Sequence, residues 1–244
     1  MAIASTPRRA TNWAAELDGY LLAGIGAMLL RQARIGQLPL YVHPRYSPLI
    51  VTTGVVMLLL GGFRLFQRTQ APEELQRRLP IYGLLLAPLL LGVLIPAKPA
   101  GSALIDAQQL NTVGRTYGRE AAPITDDTAS WNLLDWMYAR YTLPPEQTDG
   151  KPVDVVGFVY RAPGQSGEHF SVVRYTLACC VADRRGVSLP VRWVGADGLR
   201  NDQWVRVTGA IVAQPGEVMA ELTVVNAQVE PVEQPKEPYL YSYQ

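Results

Sequence analysis

From its N-terminus the chain sets out in long apolar runs and finishes in short alternating ones. The clearest run, Leu79 to Ala97 (LPIYGLLLAPLLLGVLIPA), carries no charge. At about 1.5 Å per residue it would reach roughly 28 Å, close to the hydrocarbon thickness of a bilayer. Its prolines, Pro80, Pro88 and Pro96, are tolerated in spanning helices more than in soluble ones. A second run, Ser47 to Phe63, ends at Arg64. A third, Tyr20 to Leu30, is preceded by Glu16 and Asp18 and followed by Arg31 and Arg34. A helix from about Trp13 to Leu30 would place both acids in its first turns, where the helix N-terminus softens their cost. The alternative is an amphipathic helix lying in the membrane interface. The expectation is therefore two or three transmembrane helices within residues 1–97, at about 13–30, 47–63 and 79–97. A cleaved signal peptide is not expected, because RQARIGQLPLYVHP follows the first run and offers no A-x-A-like site.

Polarity changes at Lys98. Residues 98–145 read as a linker holding one amphipathic helix at about 128–140, in TASWNLLDWMYARY, with Asp127 or Thr128 as its N-cap. Trp131, Leu134 and Tyr138 recur at helical spacing. That face could dock on the following domain, or Trp131 and Trp136 could rest at a membrane interface, where such rings concentrate. Period-two patterns take over after LPPEQTDGK: VDVVGFVYR, HFSVVRYTLACC, SLPVRWVG, WVRVTGAIV and ELTVVNAQVEPV. Gly157 and Gly209 interrupt the first and fourth, as bulges or bends do. Five short strands within residues 146–232 predict a small barrel of the oligonucleotide/oligosaccharide-binding type, with a five-stranded sandwich as the competing arrangement. Residues 233–244 are left as a tail. The fold class expected is a membrane-anchored α region joined to an all-β domain.

Composition narrows what such a chain can do. Of 244 residues, 48% are hydrophobic and 18% charged, so a disordered chain is excluded. Lys and Arg number 22 against 21 Asp and Glu, for a net charge of +1. Between Glu146 and Glu230 there are eight basic and ten acidic residues. Single-strand binding by such barrels needs a positive groove, so nucleic acid is not an expected partner. In the helical half, Arg8, Arg9, Arg64, Arg68, Arg77 and Arg78 fall on one side of three spans, against Arg31, Arg34, Arg45 and Lys98 on the other. Basic loops stay inside, so the N-terminus is expected in the cytoplasm and everything after Ala97 outside it.

The candidate chemistry is sparse. No phosphate-binding loop, nucleophile elbow or zinc-protease motif occurs, so an enzyme is not expected, and neither firm span holds the charged group of a proton or ion relay. The two cysteines, Cys179 and Cys180, are adjacent, which excludes a disulfide framework and a four-thiolate zinc module. On a strand, neighbours point to opposite faces. A distortion at the strand end could let the thiols meet as a strained, reducible disulfide. It could equally let both coordinate a soft metal such as zinc, with Asp183 or one of the histidines, His43 and His169, assisting. The competing reading is one buried cysteine packed as a small hydrophobe beside an incidental one. Tyr41, Arg45 and Tyr46 surround His43 between the first two apolar segments. They suit interfacial anchoring, and His43 could add a membrane-side ligand. His169 sits in a polar turn and reads as an exposed surface residue.

Taken together, YVHPRY (Tyr41 to Tyr46), the last span running into AKPAGSALID, VVGFVYR (Val155 to Arg161) and RYTLACCVADRRGV (Arg174 to Val187) carry a resemblance. The chain resembles a bacterial family of permease subunits with a C-terminal domain of unknown function, over most of its length. Its most specific piece is the CC-x-A-D element after an Arg-aromatic strand. Arg184-Arg185-Gly186-Val187 stands where the family usually reads A-x-P-V. The resemblance implies a bacterial inner-membrane location, a larger multi-spanning permease as partner besides the lipid bilayer, and the handling of a metal ion or small solute. The function expected is thus a non-enzymatic accessory subunit whose outer β domain binds or gates passage of that ion or solute. Cys179, Cys180 and Asp183 would form its site. A membrane-tethered thiol–disulfide protein and a purely structural assembly module are the alternatives.

Overall fold

The computed structural model describes residues 13–67, 79–95, 97–105, 110, 127–165, 167–217 and 219–241. Arg8, Arg9, Arg68, Arg77 and Arg78, which set the expected orientation, lie outside them, as does much of the expected linker. The chain divides into two compact units. One comprises Met1–Pro39 and Pro44–Ala97, the other Leu40–His43 and Lys98–Gln244.

The first unit is helical: α1 (Trp13–Arg34), α2 (Ser47–Gln67) and α3 (Leu79–Leu94). The boundaries move from the expected ones. α1 continues past Leu30 and α2 past Phe63, while α3 stops at Leu94 rather than Ala97. Among the described residues one helix, Pro44–Phe66, is long and apolar enough to cross a membrane by length and composition; Tyr82–Leu94 is a shorter apolar helix. α1 and α2 meet backbone to backbone along glycines. A Cβ on Gly26 would lie 2.6 Å from the Gly54 carbonyl oxygen, and one on Gly61 would lie 2.6 Å from the Ala23 nitrogen. Small residues permit this approach, which brings backbone dipoles and side-chain methyls of both helices into contact. Gly62, the neighbour of Gly61, meets nothing. Thr52 and Thr53 donate their hydroxyls to the carbonyls of Pro48 and Leu49 at 2.9 Å, so α2 exposes no unsatisfied donor there. The Tyr82 hydroxyl donates to Asp18 at 2.7 Å and ties α3 to α1.

The second unit is a closed five-stranded barrel. Its strands are β1 (Pro152–Tyr160), β2 (His169–Leu177), β3 (Arg185–Arg192), β4 (Trp204–Gln214) and β5 (Glu221–Pro231). The order around the barrel is β1-β4-β5-β3-β2, and β1–β2 pairing closes it, so the sandwich alternative falls. Only β3 and β5 run parallel within the ring, at Val191 opposite Val224. Period two places Val153, Val155, Val159, Phe170, Val172, Val187, Leu189, Val191, Val205, Val207, Ile211, Leu222 and Val224 in one interior core. At Gly209 the β4–β5 register shifts, and Asn226 opposite it takes a φ of +51°. A Cβ on Gly209 would stand 2.7 Å from the Val225 carbonyl, so only glycine admits this bulge.

Helix α4 (Leu133–Thr142) precedes the barrel and packs into its core, burying Leu133, Leu134, Trp136, Met137 and Ala139. It starts later than expected because Asn132, not Asp127 or Thr128, caps it. The Asn132 side chain accepts from the amides of Leu134 and Asp135, while Asp135 accepts from the Asn132 amide at 2.8 Å. Asp127 instead caps the single 3-10 turn Thr128–Ser130. Arg140 is buried, and desolvation lowers its pKa; its Nε donates to the Ala220 carbonyl at 3.1 Å, while the Ala220 amide donates back to the Arg140 carbonyl. A one-turn helix, α5 (Pro145–Thr148), leads into β1.

The outer face of β1 and β2 carries a second core of Phe158, Val173, Tyr175 and Leu177 with Ala100 and Tyr239. The Tyr175 hydroxyl donates to the Gly101 carbonyl at 2.9 Å, and the Ala100 amide donates to the Tyr239 hydroxyl at 2.9 Å. Tyr239 belongs to β6 (Tyr239–Tyr241), which pairs parallel to β2 inside the segment expected to be a tail. Truncating Trp136, fully buried at the helix–barrel junction, to Ala should cost about 3–5 kcal/mol of unfolding free energy. Denaturant titration followed by far-UV circular dichroism measures it, and a loss below about 1 kcal/mol would contradict this packing.

Candidate functional site

β2 stops at Leu177, two residues before the cysteines, so the expected strand ending at Cys180 is shortened. The reason is Asp183. Its Oδ1 accepts from the Ala178 amide at 3.0 Å, and its Oδ2 from the amides of Cys179 at 2.8 Å and Cys180 at 3.1 Å. Three consecutive amides turned toward one carboxylate cannot continue a ladder. The chain instead enters a 3-10 turn, Val181–Asp183, with Cys180 extended at its start (φ −154°, ψ 172°). Opposite-face alternation therefore does not apply to the two thiols. Cys179 is exposed and Cys180 half-buried, both are free, and their sulfur atoms and an Asp183 oxygen lie within 4.8 Å of one another.

Electrostatics follow from this geometry. The Cys179 thiol donates to Asp183, and that bond, with Cys180 beside it, pushes the thiol up to about 12. Burial pushes the Asp183 carboxyl up, but hydrogen bonds from the Cys179 thiol and the three amides outweigh it and hold the group below the usual carboxylate range. The turn is thus a neutral thiol leaning on a charged, well-solvated-by-backbone carboxylate. Oδ2 accepts two amides and Oδ1 only one, so a lone pair on Oδ1 is left free of backbone donors and can meet a cation.

A second segment completes the turn. Leu40–His43, from the loop between α1 and α2, belongs to the barrel unit. Val42 forms an antiparallel bridge with Cys180. The His43 amide donates to the Cys179 carbonyl at 2.9 Å, and the Val181 amide donates to the Tyr41 carbonyl at 2.8 Å. The His43 ring packs edge-on against Tyr241, centroids 4.5 Å apart, and is not in the thiol–carboxylate group. His43 thus reaches the site through its backbone rather than as a ligand. Arg45 and Tyr46 lie in the 3-10 turn Pro44–Tyr46 ahead of α2, the guanidinium 5.5 Å from the Tyr46 ring centroid. Trp131 and Trp136 are corrected from interfacial anchors to core residues. Both are buried in the barrel core, and their rings meet edge-on at 4.8 Å. His169 opens β2 as an exposed residue.

Two family models match the chain: the DUF1980 N-terminal domain over residues 17–111 and the DUF1980 C-terminal domain over residues 109–242. The chain belongs to the DUF1980 family. No curated protein matches it. The DUF1980 C-terminal match contains α4, α5, the barrel, the cysteine turn and β6, and the N-terminal match contains most of α1, Leu40–His43, α2 and α3.

Val42 and Tyr241 are the site residues that sequence reading missed. A signal existed for the first. Pro44 disfavours the helical region for His43, which biases that end of the segment toward the extended conformation a bridge needs. With its folded-state pKa depressed, Asp183 contributes stability that is fully present above the unfolded carboxyl value of about 3.9 and lost as pH falls through the folded value. Unfolding free energy measured from pH 7 to pH 3 should decline below about pH 4, and less so in Asp183→Asn. The same variant should raise the alkylation rate of Cys179 at pH 8 by at least about tenfold, since the thiol no longer leans on a carboxylate. Unchanged alkylation would remove Asp183 as the controlling group.

Proposed function

We propose that this DUF1980 protein is a non-enzymatic, membrane-anchored subunit that presents an exchangeable site for a soft metal ion, Zn(II) or Cu(I), on its barrel. The observation that carries the reading is the convergence of two thiols and a carboxylate within 4.8 Å at the surface. Thiolate and carboxylate oxygen are zinc ligands, and thiolates select soft ions. Three protein ligands leave the fourth tetrahedral position open for water or a further ligand. A closed structural site would be buried and four-coordinate, whereas Cys179 is exposed.

Membrane anchoring has its support in the helices. α2 presents Leu49, Leu59, Phe63 and Phe66 outward, and α3 presents Leu84 and Leu94. Water tolerates such surfaces poorly, and acyl chains cover them at no cost. The strand order, with a parallel β3–β5 contact, fits the oligonucleotide/oligosaccharide-binding class of barrel. Nucleic acid is nonetheless a poor candidate ligand. The barrel's charge balance is slightly acidic, and the outer face of β1 and β2 is already covered by Ala100 and Tyr239. The carrier role further suggests a permease as partner, with the barrel delivering or gating its ion.

A thiol–disulfide role is less well supported, because the Asp183 contact favours the protonated, unreactive form of Cys179. The test is a competition titration of the reduced full chain in detergent micelles with Zn(II) against a chelating dye. One ion per chain with submicromolar affinity is expected, falling at least about a hundredfold in the Cys179→Ser, Cys180→Ser double variant with unchanged circular dichroism. Absence of stoichiometric Zn(II) and Cu(I) binding would overturn the metal-site reading.

A further inference from the structure

Cys180 is held on both sides by a strand from elsewhere in the chain. The carbonyl of Cys179 before it accepts from His43, and the amide of Val181 after it donates to Tyr41. Together with the Val42–Cys180 bridge, these bonds tie the cysteine turn to Leu40–His43 on the side away from Asp183. Asp183 alone fixes the amides of residues 178–180; the outer strand fixes the remaining carbonyl and the exit of the turn. The next residue after the strand is Pro44, which opens the turn into α2. His43 is further pinned through its ring against Tyr241.

We infer that occupancy of the Cys179–Cys180–Asp183 site and the pairing of Leu40–His43 with the cysteine turn form one coupled equilibrium. The inference rests on the metal-site reading above and adds its regulation. A metal ion needs all three donor atoms gathered, and they are gathered when the turn is paired. The ion therefore binds the paired state more tightly than the unpaired one, which is the requirement for any ligand-driven shift. Reciprocity follows: whatever pulls Leu40–His43 off the turn, such as a rearrangement of the α1–α2 loop, weakens the site by the same factor. The device would let a subunit hold its ion in one state of the loop and release it in the other.

The test uses the reduced full chain in detergent micelles, with Zn(II) as the probe. Hydrogen exchange of the amides in residues 40–46 is measured with and without the ion, and Zn(II) affinity is compared between wild type and His43→Pro. Proline deletes the amide that bonds Cys179 and keeps the extended backbone. Slowing of exchange at His43 by at least about tenfold on adding Zn(II), and at least about tenfold weaker binding in His43→Pro, are expected. Should His43→Pro fail to fold, Val42→Gly, which weakens the bridge and removes no donor, serves for the affinity comparison. Stoichiometric Zn(II) binding with unchanged exchange and equal affinity in the variants would overturn the coupling and leave the metal site standing. Loss of Zn(II) binding already in the wild type would overturn both together.

Discussion

One carboxylate organises the part of this molecule that invites a functional reading. By accepting three successive amides, Asp183 ends β2, throws the chain into a 3-10 turn and sets two neighbouring thiols on the same side of it. In doing so it leaves the Cys179 carbonyl and the Val181 amide facing outward, the two groups that Leu40–His43 then takes up. Without that carboxylate the strand could run on through Cys180, with alternating thiols and no place for the outer strand. The site, its electrostatics and its link to the α1–α2 loop all descend from this single set of hydrogen bonds.

The barrel itself depends on a plainer constraint. Five short strands with one apolar face close on themselves because α4 supplies the bulk that five strands cannot. Trp136, Leu133 and Leu134 occupy core volume that would otherwise be void, and voids of that size are costly. The flanking segments then seal the aromatic outer face of β1 and β2. The helical unit uses the opposite device, removing side chains rather than supplying them. Gly26 and Gly61 let α1 and α2 approach until backbone meets backbone.

Much of this was legible from residue order. Alternation located the five strands, and the two interrupting glycines marked true close approaches, Gly157 against the Val173 carbonyl and Gly209 at the bulge. The start of α4 was misplaced because Asp127, Thr128 and Asn132 are all competent caps, although only Asn132 has an acid three residues on, Asp135, to complete a capping box. β6 escaped notice because three residues carry no periodicity to read. At the site, Cys179, Cys180 and Asp183 were visible as residue types at short spacing. Their convergence was not, because strand geometry argues against it and only the Asp183 bonds override that geometry. The pairing of Val42 with Cys180 is a long-range choice that local preference permits and does not dictate.

That pairing also imposes an order on the birth of the molecule. Val42 leaves the ribosome well before Cys180, at the roughly 5–20 residues per second of synthesis. Until β2 has emerged, the short Tyr41–His43 strand has no mate, and closing so large a loop adds only logarithmically to the entropy already lost. The cysteine turn can therefore be finished only after both halves of the chain exist. A nascent chain stopped before Cys180 would carry the clasp without the thiols it closes over.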